Sequence, residues 1–306
     1  MCAGERQEAG TGVTYGQGLY TSDRVKADSL REERNKAMSY DLMVFEKGRI
    51  PADKSDFQNW YLHKMECREA KDISGVSEKL QHFFHSVREI FPPMNGAFAP
   101  DDKALSENPS MEKYLCEYDI REDMIYLAFG YSVAGYAYDM IRRAAYFAGL
   151  GFFNPSSDDS RPVLFDSRCP MLLEGEWFRP VEITHFDQIR EKLNNMTVKN
   201  RSYLYVTDPI GNYIQIGGYG KHLTAADRYF TVEKRTYSNL NDYVHARAEL
   251  PDTGNADKTG EVMIAGNHVK VKESQILPKD TAEQLFLDFF RNEETVDSVA
   301  WVDFDI

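Results

Sequence analysis

The sequence lacks a long uninterrupted apolar run. No segment of its 306 residues approaches the roughly eighteen apolar residues that a membrane-spanning helix requires. The opening residues, M-C-A-G-E-R-Q-E-A-G-T-G, contain no basic stretch followed by an apolar one, so a secretory signal is not predicted. From these two absences we expect a soluble, cytoplasmic protein that has no membrane partner.

Cysteine is scarce and scattered. The chain has four cysteines, Cys2, Cys67, Cys116 and Cys169. They form no C-x-x-C pair and have no metal-ligand spacing, so we expect free thiols in a reducing compartment and no metal or other cofactor. His82 and His85 are three residues apart, but their apolar H-F-F-H context favours partly buried core histidines over zinc ligands.

Recognisable catalytic motifs are missing as well. The sequence contains no G-x-S-x-G elbow, no Walker-type phosphate loop and no H-x-E with P-C-x-x-C of a zinc deaminase. The glycine-rich G-G-Y-G-K-H at 217–222 follows a predicted strand and opens no helix, which argues against a phosphate site. We therefore expect no catalytic residues and a protein that is not an enzyme.

Basic residues are outnumbered by acidic ones. The chain has 36 Lys and Arg against 49 Asp and Glu, a formal charge of −13 at pH 7. This balance disfavours direct binding to nucleic acid, which needs clustered positive charge. It is compatible with a basic protein partner, since complementary fields accelerate encounter, and solubility alone is the competing explanation.

The most informative stretch is the segment 203–237. Its three apolar and aromatic runs are separated by turn residues, including D-P-I-G-N at 208–212. Within the runs, polar or aromatic residues alternate with apolar ones, which is the period of a strand with one buried side. We predict an antiparallel meander with a broad polar and aromatic surface.

The order of elements before this meander differs. A strand at 40–45 precedes two amphipathic helices, the second ended by Pro92 and Pro93, which cannot continue it. Two strands around a polar turn at 120–123, a helix to about residue 148 and a final short strand follow. The order β-α-β-β-α-β is that of ferredoxin-like sandwiches.

A polar cleft is predicted at one end of this first region. The segment 91–102, F-P-P-M-N-G-A-F-A-P-D-D, combines prolines, an Asn-Gly turn and two acids, and a second acidic loop follows the last strand. The candidate ligand-binding residues are Asn95, Asp101, Asp102, Asn154 and Asp158. A small-molecule sensor would use this cleft, and a hydrolase would use Asp101, Asp158 or His85. Otherwise the acids are ordinary solvated loop residues.

The chain is long for one core and suits two domains. Residues 1–37, rich in glycine and charge, are expected to be a poorly ordered leader, and residues 38–160 the first domain. Residues 161–180 carry proline and serine without periodicity and are the predicted linker. Residues 181–306 are predicted to be an α+β domain, an antiparallel sheet with two helices on one side.

Short motifs relate the first region to known sequences. They are M-S-Y-D-L at 38–42, F-P-P-M-N-G at 91–96 and G-F-F at 151–153. With these motifs, residues 38–160 resemble a widespread family of small uncharacterised bacterial proteins, although Gly130-Tyr131 stands where that family has Trp-Ser. This resemblance implies no particular chemistry.

A second resemblance lies in the element order of residues 181–306. A short helix, a strand, a Gly-containing turn, the strand Y-I-Q-I-G-G, an aromatic strand, a hairpin, the helix A-E-Q-L-F-L-D-F-F and a final W-V-D-F follow one another. In this order the region resembles the first-numbered immunity family of bacterial polymorphic toxin systems, whose members include the immunity partner of a double-stranded DNA cytosine deaminase toxin. The resemblance implies a cytoplasmic antidote that binds a cognate toxin domain and blocks its active site.

Toxin contacts are expected on the exposed face and loops of the meander. The candidates are Asp208, Tyr213, Tyr219, Asp227, Tyr229 and Glu233. For each aromatic residue, cross-strand packing is the competing explanation. The toxin is expected to be of deaminase or nuclease type and encoded next to this protein. Such toxins carry basic substrate grooves, which an acidic protein can occupy.

Overall fold

The computed structural model describes residues 39–51, 53–66, 70–158, 161–166, 169–197, 201–219, 229–251, 259–264, 267–293 and 299–304. The expectation of a poorly ordered leader at 1–37 lies outside these ranges. Within them the chain is mixed α+β, which confirms the predicted class. The described strands form two sheets, and residues 40–306 belong to one compact unit.

Four strands form the first sheet. They are β1 (Ser39–Phe45), β2 (Cys116–Arg121), β3 (Met124–Gly130) and β4 (Gly151–Phe153). Their order across the sheet is β2-β3-β1-β4. β2 and β3 form a hairpin, and β1 pairs antiparallel with β4, with Phe45 opposite Gly151. The glycine is required at this position, because a Cβ there would lie 2.3 Å from the Phe45 ring.

The described residues of this half form four α-helices. They are α1 (Lys54–Glu66), α2 (Glu78–Val87), α3 (Asp102–Glu107) and α4 (Ala134–Phe147). Residues of α2 and α4 share a core with one face of the sheet, around Leu42, Val44 and Phe152. On the other face, α1 places Phe57 and Tyr61 against Phe45. Helices therefore lie against both faces of the first sheet.

The histidines of α2 differ from the expectation. The buried face of this helix is formed by Leu80, Phe83, Phe84 and Val87. His82 and His85 are exposed instead of partly buried. The apolar neighbours misled the prediction, because residues adjacent in sequence point to different sides of a helix, whereas those three or four apart share one.

Ten strands form the second sheet. They are β5 (Met171–Gly175), β6 (Phe178–Ile183), β7 (Tyr203–Thr207), β8 (Tyr213–Tyr219), β9 (Tyr229–Tyr237), β10 (Tyr243–Glu249), β11 (Thr259–Ile264), β12 (Asn267–Lys272), β13 (Leu277–Pro278) and β14 (Ala300–Asp303). The main order is β14-β10-β9-β8-β7-β5-β6, with β11 joined to β8 and β12, and β13 joined to β9. The antiparallel meander predicted at 203–237 is the centre of this sheet, β7-β8-β9.

Two helices cover one face of the second sheet. They are α5 (Phe186–Asn194) and α6 (Lys279–Arg291). Their buried residues, among them Ile189 and Phe286, share a core with Leu204, Ile214 and Val232 of the meander. The residues that alternate with these point to the opposite face. No helix of the described ranges has the length and apolar composition needed to cross a bilayer.

Residues 161–180 differ from the predicted linker. β5 and the start of β6 lie there, and β5 pairs with β7 from Leu172 opposite Thr207 to Gly175 opposite Leu204. β6 is the outermost strand of the sheet, where its Pro180 is tolerated because no further strand requires its amide hydrogen. These strands are short, with Pro170 directly before β5 and Pro180 within β6, so the sequence shows little periodicity there.

One side chain of α4 connects the first half of the chain to the second sheet. Arg143 is 6% exposed, and its guanidinium lies 3.5 Å from the centre of the Tyr237 ring. Its Nε donates to the carbonyl of Ile210 at 3.2 Å, and its Nη1 donates to the carbonyl of Leu240 at 3.0 Å. α4 is thereby fixed to the β7–β8 turn and to the β9–β10 connection.

Candidate functional site

The face of the second sheet opposite α5 and α6 carries polar and aromatic side chains. Alternation along the three strands β8, β9 and β10 places on it Tyr213, Gln215, Glu233, Arg235, Tyr237, Tyr243, His245 and Arg247. We call this set the polar-aromatic face. Tyr243, 51% exposed, is its most exposed member, whereas the alternating residues Ile214 and Val232 are fully buried on the helix side.

Arg235 lies at the centre of the aromatic part of this face. Its guanidinium carbon is 4.7 Å from the ring centre of Tyr213, 5.1 Å from Tyr237 and 5.6 Å from Tyr243. Its Nη2 donates to the carbonyl of Gly211 at 3.0 Å. Cation–π contacts and this hydrogen bond hold the guanidinium in one position among three rings. The charge is therefore oriented before any partner arrives.

His245 joins this aromatic group to the end of the chain. Its Nε2 is 3.0 Å from the hydroxyl of Tyr213, and its ring stacks on Phe304 with the centroids 6.0 Å apart. Burial lowers the pKa of His245, and the positive charge of Arg235 lowers it further. Burial also raises the pKa of Tyr213. Both shifts favour the uncharged forms of the two side chains.

Glu233 is held in an ion pair below the surface. It is 6% exposed, and its Oε1 accepts a hydrogen bond from Arg247 Nε at 2.8 Å and a second from Nη2 of the same residue. The other carboxylate oxygen accepts from the Gln215 amide. Arg247 also lies over the Phe304 ring at 4.5 Å. This pair fixes the middle of the polar-aromatic face and presents little free charge to a partner.

Four of the six predicted contact residues lie on strands of this face, Tyr213 and Tyr219 on β8 and Tyr229 and Glu233 on β9. Tyr213 is half-buried, and Tyr229, near the far end of β9, is 41% exposed. Glu233 is covered by its ion pair and is not available for direct contact. Asp227 and the side chain of Tyr219 lie outside the described residues.

Asp208 has a structural part in the β7–β8 turn. Its Oδ1 accepts the backbone N–H groups of Ile210 and Asn212, both at 2.9 Å, and its Oδ2 accepts from the Asn212 side chain at 2.8 Å. Burial raises the pKa of Asp208, and these hydrogen bonds oppose that effect. The carboxylate shapes the turn, which Gly211 completes with φ of 92°. It is not an exposed contact group.

The sequence reasoning missed several members of the polar-aromatic face. Arg235, Tyr237, Tyr243 and His245 surround Tyr213 and were not among the candidates. The available signal was the run Y-V-H-A-R-A-E at 243–249, in which large polar residues alternate with Val and Ala. Such alternation indicates one polar side of a strand. Which rings surround Arg235 follows from the register of β9 with its neighbours.

The residues expected to line a polar cleft are not brought together. Asn95 follows the bridge between Pro93 and Cys116, beside the edge strand β2. Asn154 directly follows β4, the opposite edge strand, and donates to the hydroxyl of Tyr40 at 3.1 Å. Three spacings between neighbouring strands separate the two edges, about 14 Å in all. The strand order therefore places Asn95 and Asn154 beside opposite edges of the first sheet.

The acids of the expected cleft have local contacts. Asp101 caps α3 by accepting the Ala104 N–H at 2.7 Å, and Asp102 is exposed in the first turn of the same helix. Asp158 lies in the turn region after β4. The acids therefore belong to two separate segments, the start of α3 and the turn after β4. In the described ranges, no three His, Cys, Asp or Glu side chains are grouped so that they could hold a metal ion.

Comparisons of the chain with protein-family models, with curated proteins and with solved structures find no match. The assignment of a function therefore depends on the residues and their geometry.

Proposed function

We propose that this protein is a cytoplasmic immunity protein, which binds a cognate bacterial toxin domain of deaminase or nuclease type and blocks its active site without catalysing a reaction. The polar-aromatic face is the proposed binding surface. The observation that carries the proposal is the fixed position of Arg235 among Tyr213, Tyr237 and Tyr243 on the sheet face opposite α5 and α6. The resemblance of residues 181–306 to an immunity family points to the same role.

Arginine and tyrosine are the residues on which protein interfaces most often depend. A partner that binds a mobile arginine loses affinity, because the side chain must first be ordered. Here the Gly211 carbonyl and the surrounding rings have already ordered Arg235. The buried Glu233–Arg247 pair stiffens the adjacent part of the sheet. Both features suit an inhibitor that must bind tightly in one orientation.

The charge of the chain and the charge of this face have different roles in the proposal. The net charge of −13 attracts a basic toxin over long range and accelerates encounter. The polar-aromatic face itself is not acidic, because Arg235 and Arg247 accompany Glu233. We therefore expect its centre to meet an acceptor-rich or acidic patch of the toxin, while acidic residues elsewhere on the inhibitor face the basic groove.

We further propose that residues 38–160 are a ferredoxin-like domain and that residues 181–306, extended by β5 and β6, are the toxin-binding domain. The sheet order β2-β3-β1-β4, with helices between β1 and β2 and between β3 and β4, supports the first part. α1 is an addition, since it lies on the sheet face that such sandwiches leave free of helices. The assignment of residues 181–306 is supported by the second sheet, which α5 and α6 cover on one face and which carries the polar-aromatic face on the other.

Coexpression with the toxin tests this proposal. The product of the neighbouring reading frame is expressed with the full chain, and cell survival and the dissociation constant of the purified pair are measured. Tyr243→Ala and Arg235→Ala are each expected to weaken binding by about tenfold or more, as hot-spot truncations do. The matched control is Tyr136→Ala, which removes a tyrosine of similar exposure, 48%, from α4 of the first half. It is expected to leave affinity unchanged.

Arg235→Ala also removes a hydrogen bond to the backbone, so its thermal unfolding is compared with that of the parent chain. Within the described residues the Tyr243 side chain makes no hydrogen bond to the backbone, so Tyr243→Ala decides the matter if Arg235→Ala is unstable. Rescue that survives Tyr243→Ala and is lost with Tyr136→Ala would move the binding surface to the first half. A neighbouring protein that neither kills cells nor binds would end the proposal.

A further inference from the structure

A cavity of about 820 Å³ lies on the helix side of the second sheet. Its walls include the core face of β8 and β9, the last turn of α6, and Trp301 of β14. Tyr146 and Phe165 close it from the first half of the chain. Cavities of this volume suit small organic ligands. No member of the polar-aromatic face lines it, so it is distinct from the proposed toxin-binding surface.

Much of the cavity wall is aromatic. The rings are those of Tyr146, Phe165, Phe289, Phe290 and Trp301. Tyr146 and Phe165 meet edge to face, with their centroids 5.6 Å apart. Phe165 has a backbone φ of 55°, in the left-handed region that bulky residues rarely adopt. The backbone is therefore strained at a residue that lines the cavity. In proteins generally, such strain is concentrated at active sites and ligand-binding sites.

Lys234 supplies a positive charge to this wall. It lies on the core side of β9, opposite Ile214 of β8 and Ala246 of β10. Its Nζ is 4.0 Å from the centre of the Trp301 ring. Burial lowers the pKa of Lys234, because the ammonium is partly removed from water. An anion bound beside the ammonium would offset this cost of burial.

The negative charges around the cavity limit the kind of anion that fits. Asp166, Asp208 and Glu293 also line it, and the α6 carbonyl end carries a partial negative charge. Arg291 lies 3.8 Å from the Glu293 carboxylate, which offsets its charge. A polyphosphate would be repelled by these groups. A ligand with one negative charge could place it at Lys234 and its apolar body against the rings.

We propose that this cavity binds an amphipathic organic monoanion, a carboxylate attached to an aromatic or long apolar body, with Lys234 as the ion partner of the carboxylate. Trp301 holds the ammonium on one side, and the rings of α6 and of the first half receive the body of the ligand. The site takes a small molecule and is independent of toxin binding.

Two matched fluorescent probes test the proposal on the full chain. Pyrenebutyrate carries the carboxylate, and pyrenebutanol has the same body without the charge. We expect pyrenebutyrate to bind at one site at least about tenfold more tightly than the alcohol, as a charge-assisted hydrogen bond allows. Lys234→Met should abolish this preference, and Lys234→Arg should keep most of it. Lys270→Met, which removes an exposed lysine from β12, is the control and should change nothing.

A second substitution locates the site. Thr236 lines the cavity and is exposed, so Thr236→Trp should block binding of both probes while the chain stays folded. If Lys234→Met does not fold by near-ultraviolet circular dichroism, the comparison of the two probes on the parent chain and on Lys234→Arg decides. Equal affinity for acid and alcohol, or binding unaffected by Thr236→Trp, would overturn the proposal. Toxin rescue by the Lys234 variants should remain intact in either case.

Discussion

Replacement of Arg143 by methionine should loosen the connection between α4 and the second sheet. Arg143 donates to two carbonyls, those of Ile210 and Leu240, and lies against the Tyr237 ring. Methionine keeps much of the apolar stem, so the volume is largely retained. The variant loses the charge-assisted hydrogen bonds to the β7–β8 turn and to the β9–β10 connection, which are distant from α4 in sequence.

The expected cost follows from these contacts. Each hydrogen bond from a charged donor contributes about 1.5–3 kcal/mol, and a desolvated cation–π contact adds about 2 kcal/mol. Burial of the guanidinium lowers the pKa of Arg143, which indicates a desolvation cost that offsets part of this gain. We therefore expect the free energy of unfolding to fall by about 2–4 kcal/mol, the range in which loss of a buried polar contact falls.

Urea unfolding followed by tryptophan fluorescence and by circular dichroism measures this change. With a slope of about 3 kcal/mol per molar urea, the midpoint should move down by about 1 M. The matched control is Arg142→Met, the neighbouring residue, whose Nη1 donates at 3.0 Å to Tyr138 on its own helix. It should cost less than about 1 kcal/mol. If Arg143→Met costs no more than the control, Arg143 does not hold the two halves together as described.

Three further predictions concern other sites. Glu233→Leu should lower the free energy of unfolding in urea by about 3–5 kcal/mol, because it leaves the Arg247 guanidinium without its ion partner. Adding Arg247→Met should recover most of this loss, and additive effects of the two substitutions would contradict the pairing. Gly151→Ala should cost about 1–3 kcal/mol because of the ring beside it, whereas Gly135→Ala, with no atom within 4 Å, should be neutral or slightly stabilising in the same assay. The pKa of His245, measured by NMR titration, should lie below the ordinary value for histidine. The unfolded chain then binds the proton at a higher pH than the folded chain, so acidification between the two pKa values should lower the free energy of unfolding. A raised pKa of His245 would refute this account.

Local signals in the sequence were enough to predict most elements of the fold. The alternation in 203–237 predicted the meander, and the apolar spacing before Pro92 and Pro93 predicted α2, which ends at Val87, before Phe91 of the predicted stripe. The strands β5 and β6 were missed, because segments of five and six residues, with Pro170 before one and Pro180 within the other, become strands only through pairing with β7 and with each other. Their stability comes from long-range contacts that leave no periodic trace.

The candidate sites were harder to predict than the fold. Tyr213 was found because it lies within a clearly alternating strand. The arrangement of rings around Arg235 depends on strand register, and a shift of one residue would point that side chain to the other face. The cavity combines residues as far apart as Tyr146 and Trp301, so no local pattern marks it. The placement of Asn95 and Asn154 beside opposite edges of the first sheet was likewise not predictable, since strand order is a property of the whole sheet.

Residues in and just after the short strand β14 contribute to both faces of the second sheet. Trp301 borders the cavity on one side of the sheet, and Phe304, just beyond the strand, stacks on His245 on the other. Deletion of residues 300–304, or their displacement by a bulky fusion partner, would therefore disrupt the cavity and the polar-aromatic face together. Affinity tags and truncations should therefore be chosen with both contacts in mind. Loss of activity in a shortened protein would not show which of the two surfaces the activity requires.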